Sequence, residues 1–376
     1  MNKLFFSCCS LLLSIIGTAQ QYTLLVGTYT KGKSEGIYVY DFQPSTADVV
    51  LLDSVKTSNP SYLAVSPGNR HVYAVNENGP DNGSGKVSAF AFNKSNRQLT
   101  LVNQQSSGGD DPCYITVDKT GKWVIVGNYS SGTLSVLPVA PDGGVGTAVI
   151  TLQHKGSGPN KLRQQSPHVH ATVLSPNNKY LLVTDLGIDK ILCYNFNSKK
   201  GILTTKSSTK LSDGSGPRHL DFHPSGKWVY VIQELSGTVT TFKYNNGSLQ
   251  QIQEINLLPQ EYTGEGTSAD IHVSPDGRFL YASNRNPTNS ITIFAIDQIS
   301  GKLSVVGHQS TLGKVPRNFN FDPTGNFLLV ANQETDNIVI FRIDKQTGAL
   351  ADTGKQIHVP NPVCLKWIII NSDRKK

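Results

Sequence analysis

The chain has 376 residues, with 34 Lys and Arg against 27 Asp and Glu for a formal net charge of +7. This excess is small and spread along the chain, and no basic cluster is interleaved with aromatics, so a nucleic-acid-binding face is not expected. Five cysteines show neither CxxC nor zinc-ligand spacing, so neither a redox motif nor a structural metal is expected.

Met1–Ala19 carries Lys3, the apolar runs LFF and LLLSIIG, and a small-residue end, Gly17-Thr18-Ala19. It reads as a secretory signal on residues 1–19, cleaved before Gln20. The run is too short for a comfortable spanning helix, so export to the periplasm or beyond the cell is expected, with no membrane attachment of the mature chain. Cys113, Cys193 and Cys364 then remain, an odd count, and they read as buried small hydrophobes.

From Asn59 onward one phrase recurs: NPSYLAVSPGNRHVYAVNE, DPCYITVDKTGKWVIVGNY (from Asp111), HVHATVLSPNNKYLLVTDL (from His168), GPRHLDFHPSGKWVYVIQE (from Gly216), TSADIHVSPDGRFLYASNR (from Thr267) and VPRNFNFDPTGNFLLVANQ (from Val315). Each copy alternates apolar and polar residues at period two on both sides of a Pro/Gly turn, which is two antiparallel strands. The steps between copies are 52, 57, 48, 51 and 48 residues, and further short strands follow each copy. A seventh copy is split: NPVCLKWIII, from Asn361, has only a first strand, and TLLVGTYT, Thr23–Thr30, supplies the return strand from the other terminus. Units of about fifty residues with four strands each are the spacing of propeller blades. The expected fold is an all-β, seven-bladed β-propeller of four-stranded antiparallel blades, closed by N- and C-terminal strands sharing one blade. It occupies residues 20–376 as a single domain.

Alignment of the copies locates a face. Their third residues are Ser61, Cys113, His170, Arg218, Ala269, Arg317 and Val363. Their last residues are Tyr29, Glu77, Tyr129, Leu186, Glu234, Arg285 and Gln333. In an antiparallel hairpin the start of one strand lies beside the end of the next, so both sets should ring one mouth. His223 and Asp322 belong to turns on the opposite face. One arc of the ring collects His170, Arg218, Glu234, Arg285 and Arg317, with Glu77 apart from it. Before His168 lies a long polar segment with Arg163 and Gln164. Arginine forks suit carboxylate or phosphate, and His and Glu can move protons. His168 and His170, two apart on a strand, should point the same way; with no third ligand in view, no metal is expected. Gly264–Asp270, GEGTSAD, resembles a phosphate-loop fragment without its Lys-Ser/Thr ending and reads as a turn.

VGTYTKGKSEGIYVYDF, the Arg-Gln…Pro-His-x-His run of GSGPNKLRQQSPHVHATVLSPNNKYLLVTDLGIDKI, the Gly-Pro-Arg-His…Glu phrase and PRNFNFDPTGNFLLVANQETDNIVIF together resemble the seven-bladed lactonase family of bacterial 6-phosphogluconolactonases, related to fungal carboxymuconate-lactonizing enzymes. The resemblance spans nearly the whole mature chain. It implies lactone hydrolysis without a cofactor, with His170, Arg218, Glu234 and Arg285 as catalytic positions. Arg317, His168, Arg163, Gln164 and Glu77 are expected to bind a small anionic sugar lactone, in a monomer or weak homodimer. Either Glu234 or His170 would be the base, and Arg285 with Arg317 would hold the substrate's anion. Two other readings are a cycloisomerase forming a lactone from an unsaturated diacid and an exported propeller that only binds. A secretion signal departs from the cytosolic sugar-phosphate enzymes of that family.

Overall fold

The computed structural model describes residues 20–259 and 267–370, so the expected signal segment at 1–19 lies outside the described residues. Seven separate four-stranded antiparallel sheets form the chain. The closing blade takes its innermost strand, Pro362–Ile370, from the C-terminus and its next, Gln21–Thr28, from the N-terminus, followed by Gly36–Gln43 and Asp48–Lys56. The innermost strands of the second to seventh blades are Leu63–Val65, Pro112–Val117, Val169–Leu174, Pro217–Phe222, Ser268–Val273 and Pro316–Phe321. Among the described residues the helical elements are two short 3-10 turns, Pro80–Asn82 and Leu186–Ile188.

Blade packing follows from the sequence alternation. The second strand of each blade is buried on both faces, as in Trp228–Gln233, because it lies between neighbouring blades as well as between strands. Apolar clusters therefore form across blade boundaries: Trp228, Tyr230 and Ile232 of the fifth blade pack with Ile271, Leu280 and Phe294 of the sixth. The boundary also explains a glycine. Gly201 of the fourth blade lies under the Trp123 ring of the third, where a Cβ would come within 2.4 Å of the indole, and its φ of +69° is itself left-handed. The Trp123 indole N–H then donates to the Ser198 carbonyl at 2.8 Å.

The mouth is built by one device repeated around the ring. The backbone N–H groups of Tyr29, Glu77, Tyr129, Leu186, Glu234, Arg285 and Gln333 donate to the carbonyls of Asn361, Asn59, Asp111, His168, Gly216, Thr267 and Val315, at 2.8–3.1 Å. These are the last and first residues of the repeated phrase, so both ring sets do meet at one level. Just inside, six blades slip register by one residue, at Val363, Cys113, His170, Arg218-His219, Ala269-Asp270 and Arg317. Such bulges leave the extra residue unpaired and re-aim its side chain. On the far face, Asp322 accepts from the backbone of Thr324, Asn326 and Phe327, and His223 bonds Ser225 Oγ and the Gly277 carbonyl, as expected of turn residues.

Closure of the ring rests on the Pro362–Ile370 strand, where Val363, Cys364, Leu365 and Ile368 are all buried. Leu365→Ala should lower unfolding stability by about 2–5 kcal/mol, the range for deleting a buried leucine side chain. A urea melt with an unchanged midpoint would show that this blade is not needed to hold the ring shut.

Candidate active site

Glu234 is the centre of charge. It directly follows the second strand of the fifth blade, and its carboxylate accepts from Arg163 Nη2 at 2.6 Å on Oε1 and from Arg218 Nε at 3.0 Å on Oε2, with Arg285 Nη2 ion-paired to Oε2 at 3.2 Å. Burial opposes its ionisation, but Arg285, Arg218 and Arg163 together hold the carboxyl far below the usual carboxylate range. Arg218 is the largest fully buried side chain, and its Nη1 also donates to the Ala269 carbonyl at 2.6 Å. Burial, with Arg317 and Arg285 nearby, brings its guanidinium down to about 10, so it keeps its charge at neutral pH.

His170 lies on the fourth-blade bulge, 4 % exposed, with Nδ1 3.7 Å from Cys113 Sγ and its ring edge-on to Tyr129 at 5.5 Å. Burial, then the charges of Arg218 and the neighbouring His219, depress its pKa well below that of an ordinary histidine. The imidazole is therefore neutral at physiological pH. His168 stacks face-on upon Tyr129 at 4.4 Å, and its Nδ1 lies 3.0 Å from the Tyr129 carbonyl. The bulge between Val169 and Ala171 breaks the strand alternation, so the two histidines flank one tyrosine instead of forming a parallel pair.

The long loop is fastened at both ends by Asp185, which bonds His154 Nδ1 at 2.7 Å and accepts from the His168 backbone N–H at 2.7 Å. Between them Gln164 is fully buried, donating to the Leu186 carbonyl at 2.8 Å and to Asp189 at 2.7 Å. Gln164, expected among the substrate-binding residues, thus has its amide engaged in holding the loop. Its neighbour Arg163 is 39 % exposed and reaches the mouth, where it also donates to Tyr129 Oη at 3.2 Å.

Arg285 also departs from its expected place as a free anion clamp. It donates to the carbonyls of Thr267 and Ser268, and its position on the fifth-to-sixth blade boundary makes the Glu234 carboxylate its ion-pair partner. Arg317 stands across the mouth, over the Tyr29 ring at 5.3 Å and 3.9 Å from Glu77 Oε1, which also accepts from the Tyr29 hydroxyl at 2.8 Å. There Tyr29, Lys31, Asn59, Glu77, Asp111 and Arg317 help to line a polar cleft of about 430 Å³.

Two residues at this level were not among the expected site residues. His219 follows Arg218 in its bulge, and Asp270 follows Ala269 in the next; they bond each other at 2.7 Å. Asp270 lies in the strand Ser268–Val273, so the turn expected over Gly264–Asp270 is corrected at its end, while Gly264–Gly266 lie outside the described residues. The one cue was adjacency to an aligned ring position. Cys113, Cys193 and Cys364 are buried and unbridged, as expected.

Removing the charge at Glu234 leaves three arginines facing one another, one of them buried. Glu234→Gln should destabilise the protein by about 3–5 kcal/mol, the range for breaking a buried ion pair by removing one partner. Because the folded carboxyl titrates below an unfolded glutamate, its contribution is complete above pH ~4.5 and is lost as the pH falls. The gap in melting temperature between wild type and variant should therefore shrink on acidification; a gap that widens contradicts the ion-pair account.

Comparison with known proteins fits this arrangement. The family described as Lactonase, 7-bladed beta-propeller, matches residues 23–367. The chain is 40 % identical over 353 residues to 6-phosphogluconolactonase of Bacillus subtilis, covering 93 % of this chain and 99 % of that one. It is 40 % identical to 6-phosphogluconolactonase of Formosa agariphila, over 89 % of this chain and 96 % of that one. The solved structure of a periplasmic gluconolactonase from Pseudomonas aeruginosa superposes with a TM-score of 0.88 at 37 % identity, covering 93 % of this chain and 99 % of that one. With a matching ring of seven blades and relatives of this identity along nearly its whole length, the chain belongs to the seven-bladed β-propeller lactonase family.

Proposed function

We propose that this lactonase opens a sugar-acid δ-lactone of the gluconate type, phosphorylated or not, and that His170 is the base. The observation that supports this most is the pairing of a neutral buried imidazole with three guanidinium groups gathered on Glu234. With both oxygens taken by arginines, Glu234 is a poor proton acceptor and serves to fix those arginines. In the reaction, His170 takes a proton from water as its oxygen attacks the ring carbonyl carbon. The carbonyl oxygen becomes an oxyanion beside Arg218, whose charge in a buried site is preorganised to stabilise it. The bond from that carbon to the ring oxygen then breaks, and His170 returns the proton to the departing oxygen, leaving a free acid and a hydroxyl.

The half-exposed Arg163 is the cation most available to a phosphate or carboxylate on the substrate. Export remains part of the reading: the periplasmic gluconolactonase among the relatives supports it, as does the apolar run at residues 1–19.

The deciding assay is hydrolysis of 6-phosphoglucono-δ-lactone and of glucono-δ-lactone, above spontaneous opening, by the chain from Gln20. His170→Asn should lower kcat by about 10²–10⁴-fold with little change in KM, the usual contribution of a general base. Turnover retained in His170→Asn would pass the base role to another group, and no turnover by wild type on either lactone would sink the substrate assignment. Arg163→Ala should raise KM for the phosphorylated lactone by about 10-fold or more over the unphosphorylated one, as expected for a lost charge-assisted hydrogen bond. Equal effects on both substrates would remove Arg163 from anion binding.

A further inference from the structure

A buried polar chain runs from Asp270 to the arginine placed at the oxyanion. His219 Nδ1 lies 2.7 Å from Asp270 Oδ1, and His219 Nε2 lies 3.1 Å from Arg218 Nη1. The protonation state follows from what each neighbour can do. Asp270 accepts from the Asn318 side chain and from the backbone N–H groups of Ile271 and Phe319, and it bonds His272 Nε2, a set only a carboxylate satisfies. A carboxylate accepts only, so His219 Nδ1 carries the hydrogen and donates it. A guanidinium donates only, so Nε2 must be the bare acceptor for Arg218. His219 is therefore held in one neutral tautomer, between a group that can only accept and one that can only donate.

The surroundings allow little else. The His219 ring meets Tyr62 of the second blade edge-on at 5.7 Å, Tyr114 of the third at 5.3 Å and His170 of the fourth at 5.2 Å. Arg218 is thus gripped by Glu234 at Nε and by Ala269 and His219 at Nη1, which fixes the guanidinium plane.

We propose that the Asp270–His219 pair is the positioning device for Arg218: it sets the angle at which the guanidinium meets the developing oxyanion, without itself touching substrate. This rests on the lactonase reading above. Its consequence is an acid sensitivity. The titratable and charged groups around His219 are Arg218 on its own strand, Asp270 and, through it, His272 on the sixth blade, His170 on the fourth, and Tyr62 and Tyr114. Burial and then Arg218 lower the His219 pKa to about 4, against the pull of Asp270. Above that value Nε2 accepts; below it the added proton points an N–H at an N–H of Arg218, and the grip is lost.

The test compares His219→Phe with His219→Gln, whose amide can accept from Arg218 and donate to Asp270, in wild-type and Arg218→Lys backgrounds. His219→Phe is expected to lower kcat on the order of 10²-fold, as a small misplacement of a catalytic group does, with KM nearly unchanged. His219→Gln should recover most of that loss, and in the Arg218→Lys background His219→Phe should add almost nothing. In acid the wild-type rate should lose both the base His170 and, as pH drops through about 4, the His219 grip, and His219→Gln should leave only the first, a less steep limb. Independent multiplication of the two losses, or a glutamine variant as poor as phenylalanine, overturns the proposal. If the phenylalanine variant does not fold, the pH profile decides: an acid limb as steep in His219→Gln as in wild type overturns it equally. A wild type inactive on both lactones would overturn the substrate reading instead, and thermal stability of each variant separates a fold defect from misplacement.

Discussion

The constraint on which this site depends is the one-residue register slip at the start of the innermost strands. An ordinary strand sends alternate side chains to opposite faces, so consecutive residues cannot both serve one mouth. The slip at Arg218-His219 and again at Ala269-Asp270 relaxes that rule. Two adjacent residues of one blade thereby join the same buried network as two of the next. The slip is affordable because the lost ladder contact is replaced just outside it, where the N–H of each second strand's last residue closes onto the first residue of the repeat.

Given that geometry, the charge arrangement follows from the need to bury it. Three guanidinium groups in a low-dielectric funnel would repel one another, and Glu234 is the counter-charge that lets them approach. The same field acts on the histidines. His170 and His219 are driven neutral by burial first and by Arg218 beside them second, whereas His272, on the other side of Asp270, is pushed up because two carboxylates outweigh its burial. Burial with a nearby arginine thus leaves two imidazoles neutral, and a pair of carboxylates makes the third hold its proton more readily.

The repeat, the split blade and the mouth-facing ring were legible because they are written as period and spacing, and period survives whatever the side chains do. Arg218 and Glu234 could be placed on one mouth from the hairpin register alone. What the alignment could not resolve was competition for partners. Gln164 and Arg163 are neighbours on one loop with similar polarity, yet Gln164 turns in to Leu186 and Asp189 while Arg163 turns out to Glu234. Arg285 looked like a free cation because the carboxylate it meets belongs to another blade. His219 and Asp270 were hidden by the alternation rule itself: next to an inward residue, each should have faced away, and only the bulge reverses that.

The division of labour between the two sides of the mouth follows from the same competition. On the Glu234 side, Arg218 and Arg285 are tied down by several acceptors and can offer a fixed field but little movement. Arg163 has one buried carboxylate and one tyrosine hydroxyl as partners, and much of its side chain meets solvent. Across the mouth Arg317 is 3.9 Å from Glu77, a looser pair than any on Glu234. A reaction that builds charge at one oxygen needs donors that do not move, because reorganising dipoles during the step raises the barrier. Substrate entry needs the opposite: cations whose present partners can be exchanged for the substrate's own oxygens. Arg218 and Arg285, each held by several acceptors, suit the first demand and the more loosely held Arg163 and Arg317 the second, and the loop fastened at His154 and His168 is what brings Arg163 to the carboxylate that Arg218 and Arg285 share.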